Sequence, residues 1–131
     1  YSDPTGKRVN FIIRQNGLNY GTAVTRAYHF PLTDPYTLDE ATNLLNSKLI
    51  DIQLAKLNIS PSEGISTQIL VVLAYDAQYS GQIESAWNNI DASLKANIFL
   101  YVVTTEGNDE FIYNWTNQKV YKLKETGFRY L

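Results

Sequence analysis

Four carboxylates follow the two most apolar segments of the sequence. Asp76 ends the run QILVVLAY (68–75), and Glu106, Asp109 and Glu110 follow IFLYVVTT (98–105). If the two runs are parallel strands, all four side chains lie near one carboxyl edge of the sheet, where open α/β sheets bind ligands. Such a cluster can hold a divalent cation and activate water, which is the chemistry of a metal-dependent hydrolase or nuclease.

The same acids also have a structural explanation, which we favour. EGND (106–109) has the composition of a hairpin turn, and Asp76 suits a loop between a strand and a helix. Position in a fold is by itself only an analogy for function. Asp76, Glu106, Asp109 and Glu110 therefore remain weak metal-ligand candidates, and we predict no cofactor.

A second candidate is the C-terminal segment, which interleaves aromatic rings with cations. Bases stack on aromatic rings while cations bind phosphates, so such a sheet can bind single-stranded nucleic acid. Solvated edge strands explain the pattern as well, because strands favour aromatic residues and lysine on an edge hinders aggregation. The predicted binding residues are Tyr113, Trp115, Lys119, Tyr121, Lys122, Lys124 and Arg129, with Arg14 and Arg26 from the N-terminal segment.

Nucleophilic catalysis lacks a sequence signature. A catalytic triad would have to use His29, the single histidine, and no G-x-S-x-G segment accompanies it. We predict a partly exposed histidine at the end of a strand rather than a catalytic base. The absence of cysteine excludes disulfide scaffolds, cysteine-based zinc sites, iron–sulfur clusters and thiol nucleophiles. Gly81 alone is not a phosphate-binding loop.

The net charge of −2 hides a strong segregation of charge. Residues 1–30 carry a net +3, residues 31–111 a net −8 and residues 112–131 a net +3. Together with ten tyrosines, a residue type enriched at interfaces, this layout favours contacts with a protein partner or with other copies of the chain. Pairing of the basic ends with the acidic middle inside one monomer is the alternative.

The first half of the chain predicts a hairpin and a helix. RVNFIIRQ (8–15) alternates like a strand, and Asn16–Gly17 predicts a type I′ turn after it. The return strand is expected within residues 18–30, where Gly21 marks a bulge or a late start of the strand. Thr37 and Glu40 form a capping box before a helix over about 38–56. Residues 49–57 also alternate like a strand, and the helical stripe favours the helix.

The second half predicts a βαβ unit. Residues 68–75 and 98–105 are continuous apolar strands, the first covered on both faces. Ser80 is the predicted N-cap of the helix between them, and Asn97 suits the left-handed position after it. The helix buries a stripe formed by Ile83, Ala86, Trp87, Ile90 and Leu94. An antiparallel meander follows over the C-terminal residues.

These elements predict one α+β domain with a mixed β-sheet and two helices in the order ββαβαβββ. A central βαβ crossover precedes the antiparallel meander. The domain spans residues 8–131 after a flexible lead-in, 1–7. The sequence contains no signal peptide and no transmembrane segment, so we predict no membrane insertion. Because it begins at Tyr1 and lacks methionine, we expect a processed or excised chain, or one trimmed for expression.

The predicted function is a non-enzymatic protein-interaction or assembly module, and self-association is one version of it. Each catalytic class lacks its signature, and this is the main reason for that choice. Single-stranded nucleic-acid binding and metal-dependent hydrolysis are the alternatives.

Overall fold

The computed structural model describes residues 11–59, 64–106 and 124–125. The predicted lead-in (1–7) and almost all of the predicted C-terminal meander lie outside these ranges. The elements in chain order are β1 (Phe11–Gln15), β2 (Leu18–Arg26), α1 (Leu38–Asn58), β3 (Ile65–Ala74), α2 (Ala77–Asn89), β4 (Ile98–Thr104) and β5 (Lys124–Glu125).

The N-terminal hairpin forms as predicted, with one correction. Asn16 (φ 53°) and Gly17 (φ 76°) both adopt the positive φ that a type I′ turn requires, and β1 and β2 pair antiparallel. Gly21 is neither a bulge nor a late start, because β2 begins at Leu18 and Gly21 pairs in register with β1 and β3. The irregularity lies one step earlier, between Asn19 and Tyr20.

The described strands form one mixed sheet in the order β1-β2-β3-β4-β5. β3 and β4 are parallel, which confirms the predicted βαβ unit, and β2 and β3 are parallel as well, which was not predicted. The two crossovers step across the sheet in the same direction, so right-handed connections place both helices on one face. The helices contact each other there. β5 adds to β4 antiparallel.

Helix α1 resolves the ambiguity over residues 49–57 in favour of a helix. Its N-cap is Thr37, whose hydroxyl accepts a hydrogen bond from the backbone N–H of Glu40 at 3.1 Å, as the capping box predicts. One stripe of the helix is fully buried: Ala41, Leu45, Leu49, Ile52 and Ala55. A stripe at this spacing anchors the helix on the sheet.

Helix α2 begins earlier than predicted. Its N-cap is Asp76, and Ser80 lies inside the helix, where its hydroxyl donates to the carbonyl of Ala77 at 3.2 Å. The prediction of Ser80 as the cap is therefore wrong. The helix ends at Asn89, so Leu94 lies in the following turns, and Asn97 takes its left-handed conformation (φ 59°) directly before β4.

The core lies between the two helices and one face of the sheet. Leu70 and Val72 on β3 are fully buried there against Ile83 and Trp87 of α2. Val71, which points to the opposite face, is only half-buried. On that opposite face Ile69 is also half-buried and Leu73 is buried, so the first face of the apolar run of β3 is the more deeply buried of the two.

Candidate functional site

A cavity of about 440 Å³ opens at the carboxyl end of β2. The last residue of β2, the loop after it and the first turns of α1 form its walls. Two kinds of side chain dominate the lining: the aromatic rings of Tyr28, Phe30 and Tyr36, and the charged or titratable groups of Arg26, His29 and Glu40. We call this cavity the aromatic pocket. Its volume is within the usual range for ligand sites.

The loop of residues 27–37 crosses from β2 to α1 and carries most of the aromatic pocket. It contains Pro31 and Pro35, and the peptide between Phe30 and Pro31 is cis. The backbone N–H of Asp34 donates to the carbonyl of Pro31 at 3.1 Å, which closes a tight turn. The chain therefore returns on itself within a few residues and brings Tyr36 close to the strand end it left.

The side-chain amide of Gln78 fastens this loop to α2. Its Oε1 accepts a hydrogen bond from the backbone N–H of Tyr36 at 3.0 Å, and its Nε2 donates to the Tyr36 carbonyl at 2.6 Å. Tyr36 is only 2% exposed. The amide thus satisfies both backbone groups of a buried residue that lies 42 positions away in the sequence.

Tyr36, which lines the pocket, belongs to a cluster of stacked tyrosines. The rings of Tyr36 and Tyr79 are nearly parallel (10°) with centroids 4.6 Å apart, and Tyr75 meets Tyr79 edge-on at 5.8 Å. Burial, followed by the nearby charge of Glu40 and by Tyr79, raises the pKa of Tyr36 to about 12. Burial also raises the pKa of Tyr79, and the charges of Asp76 and Glu40 add to this. Both phenols stay protonated at neutral pH.

His29 and Glu40 form the most direct polar contact at the pocket. Nδ1 of His29 lies 2.8 Å from Oε1 of Glu40, and its Nε2 lies 3.7 Å from Oδ2 of Asp34. The hydroxyl of Tyr79 donates to the His29 carbonyl at 3.5 Å. Within the described part of the chain, the other Glu40 oxygen, Oε2, is buried without a hydrogen-bond partner. The contact that the Glu40 carboxylate makes is therefore with the loop.

The rim of the pocket exposes large apolar side chains. Phe30 is 77% exposed, Tyr28 51% and Leu32 43%. The guanidinium carbon of Arg26 lies 4.6 Å from the centroid of the Tyr28 ring, a cation–π contact. Phe30 is thus a mainly solvated aromatic residue on a loop whose neighbours are held to both helices.

Asp76 has a structural role. Its Oδ1 accepts hydrogen bonds from the backbone N–H groups of Gln78 at 3.0 Å and Tyr79 at 3.1 Å, so it caps α2. The N–H of Glu106 donates to the Tyr75 carbonyl at 2.8 Å, which brings the two chain segments together at the expected sheet edge. No group of three or more His, Asp or Glu among the described residues is arranged to hold a metal ion. Asp109 and Glu110 lie outside those residues.

The predicted basic and aromatic surface is described only in part. Arg14 is exposed on β1, and Lys124 belongs to β5 at the opposite edge of the sheet, with three strands between them. At strand spacings of about 4.8 Å, the two edges are roughly 19 Å apart. Arg26 belongs to the aromatic pocket. The remaining predicted residues lie outside the described ranges: Tyr113, Trp115, Lys119, Tyr121, Lys122 and Arg129.

Sequence reasoning missed the pocket, although a signal was present. The segment AYHFPLTDPY (27–36) places three aromatic rings and the single histidine around two prolines. Loops that carry aromatic residues on a rigid scaffold are common binding elements. The contact between His29 and Glu40 has no local sequence signature, because Glu40 already has a role in the predicted capping box.

Comparisons with protein families, with curated proteins and with solved structures find no match for this chain.

Proposed function

We propose that this chain is a non-enzymatic protein-interaction module that binds a partner segment at the aromatic pocket. One observation carries the proposal: Phe30 is 77% exposed on a loop whose neighbours are held in place. Aromatic residues are enriched at protein interfaces, and an exposed aromatic residue beside a cavity is a natural anchor point.

The loop around Phe30 needs little ordering on binding. Gln78 fixes the backbone of Tyr36, and Glu40 fixes the side chain of His29. A surface that is already ordered loses less conformational entropy when a partner binds, so more of the contact energy appears as affinity. Burial of the Phe30 side chain in an interface is worth about 1.5–3 kcal/mol.

Selection from a display library of random 12-residue peptides on the immobilised full chain tests this function. We expect enriched peptides that bind the wild-type chain and lose at least about tenfold in affinity to Phe30→Ser, as loss of an aromatic anchor implies. Leu57→Ser is the matched control, because Leu57 is 82% exposed at the far end of α1. Enriched peptides that bind both variants equally, or no enriched peptides, would contradict the proposal.

Binding between copies of the chain is one version of this function. The basic ends and acidic middle of the sequence support it, since head-to-tail contacts would pair opposite charges. Sedimentation at two concentrations tests it, with a larger species expected at the higher one. A strict monomer at both concentrations would remove the self-association version and leave binding to a different partner.

The two alternatives from the sequence stay predictions. Nucleic-acid binding depends mostly on residues outside the described ranges, and salt-dependent binding of a labelled oligonucleotide tests it. Metal-dependent hydrolysis would use Asp76, whose carboxylate already caps α2, and a thermal shift with Mg²⁺ or Mn²⁺ tests it.

No helix in the described part of the chain is both long and apolar enough to cross a membrane.

A further inference from the structure

We infer that the aromatic pocket takes a cationic side chain, lysine or arginine, from the partner segment. This inference rests on the proposed function, because it names the chemistry of the group that enters the same pocket.

The charges around the pocket favour a cation. Asp34 is 60% exposed beside His29, and Asp39 and Glu40 occupy the first turn of α1. Among the described residues that line the pocket, Arg26 carries the opposing positive charge, and its guanidinium stacks on Tyr28. A negatively charged ligand would be repelled by Glu40 in the lining and by Asp34, which lies beside His29.

Glu40 is a suitable partner for an incoming donor group. It lines the pocket with its side chain 33% exposed, and an incoming group would approach it at Oε1, beside His29. Its second oxygen, Oε2, is buried and has no hydrogen-bond partner among the described residues. Its negative charge is therefore only partly compensated. Hydrogen bonds between charged groups are about twice as strong as neutral ones, so an ammonium or guanidinium group would gain most from this carboxylate.

The exposed ring of Phe30 suits the rest of such a side chain. Phe30 lines the cavity and is 77% exposed, and the face of an aromatic ring attracts a cation. Arg26 already lies over the Tyr28 ring, and Tyr36 is buried against Tyr79. Leu44 of α1 adds an apolar wall against which the methylene groups of lysine or arginine can pack. Glu40, the exposed ring of Phe30 and Leu44 thus line a site for a long side chain with a charged end.

The peptide selection described above also tests this inference when it is carried out at pH 8. We call the enriched peptides that lose at least about tenfold in affinity to Phe30→Ser the Phe30-dependent peptides, and we expect them to contain lysine or arginine. Replacement of that residue by neutral citrulline or norleucine should weaken binding about tenfold or more. Glu40→Gln should remove the preference for the charged peptide, because it keeps a hydrogen-bond acceptor for His29 but loses the charge. Asp34→Asn, at an exposed position, should reduce the same preference without affecting folding.

Glu84→Gln is the matched control, since it removes one negative charge from α2 outside the pocket lining. Equal weakening by Glu84→Gln and Glu40→Gln would mean non-specific attraction and would overturn the inference. Phe30-dependent peptides without basic residues would overturn it and leave the proposed function standing. The absence of any Phe30-dependent peptide would overturn both.

Discussion

The amide of Gln78 is the contact on which the geometry of the pocket most depends, and its removal gives the sharpest prediction. Gln78→Ala deletes two hydrogen bonds and leaves the N–H and the carbonyl of Tyr36 without these partners at a residue that is 2% exposed. An unsatisfied buried polar group costs about 1–3 kcal/mol. Gln78 itself is exposed, so water can partly replace its amide and each group costs an amount in the lower half of that range. Alanine recovers a few tenths of a kcal/mol through its higher helix propensity. We therefore expect a loss of about 2–3 kcal/mol in the free energy of unfolding.

Urea unfolding followed by tryptophan fluorescence measures this loss, since Trp87 is buried in the core. With an m-value of about 1.5 kcal/mol per molar urea, the midpoint should fall by about 1.5 M. Gln82→Ala is the control: it makes the same change one turn later in α2, where the side chain has no hydrogen bond to another described residue. Equal midpoints for the two variants would refute the role assigned to Gln78.

Three further predictions concern the cap, the core and the buried phenol. Asp76→Ala should lower the free energy of unfolding, measured by thermal unfolding, by about 1 kcal/mol, and Asp76→Ser should lower it much less because serine also caps helices. Equal losses in the two variants would contradict the capping role of Asp76. Leu45→Ala, at a fully buried position, should cost about 2–5 kcal/mol in urea, and a loss below about 1 kcal/mol would contradict its place in the core. The pKa of Tyr36 is about 12 in the folded chain against an ordinary 10.0. As the pH rises from 10 to 12, the unfolded chain therefore loses this proton before the folded chain does, and the free energy of unfolding falls. Tyr36→Phe has no phenol proton to lose, so its free energy of unfolding minus that of the wild type should rise from pH 10 to pH 12. If this difference does not vary with pH, the raised pKa of Tyr36 is contradicted.

The elements of the fold were largely predictable because local chemistry determines them. Asn16–Gly17 specifies its turn through positive φ, and the apolar stripe of α1 specifies a helix despite the alternation in its second half. The cap of α2 was not predictable in the same way. Asp76 and Ser80 are both good N-cap residues four positions apart, and only the extended backbone at Asp76 decides between them.

The candidate site was less predictable because its contacts join distant parts of the chain. A ligand was expected at the carboxyl edge of the parallel strands, and the aromatic pocket lies at that edge, at the end of β2. The residues predicted there were Asp76 and Glu106, which do not line the pocket. The hydrogen bonds of Gln78 span 42 residues, and nothing in the sequence around Gln78 indicates Tyr36 as the partner. Pairings of this kind follow from how the helices pack, which local patterns do not encode.

The most direct test of the central claim is a map of where a partner segment contacts the molecule. Nitrogen-15 chemical shifts of the full chain, followed during titration with a Phe30-dependent peptide at pH 8, provide it. We predict that the largest changes occur at the amides of Tyr28, Phe30, Glu40 and Asn43, around the aromatic pocket. Largest changes at the β1–β2 hairpin, with the pocket amides unmoved, would contradict the account.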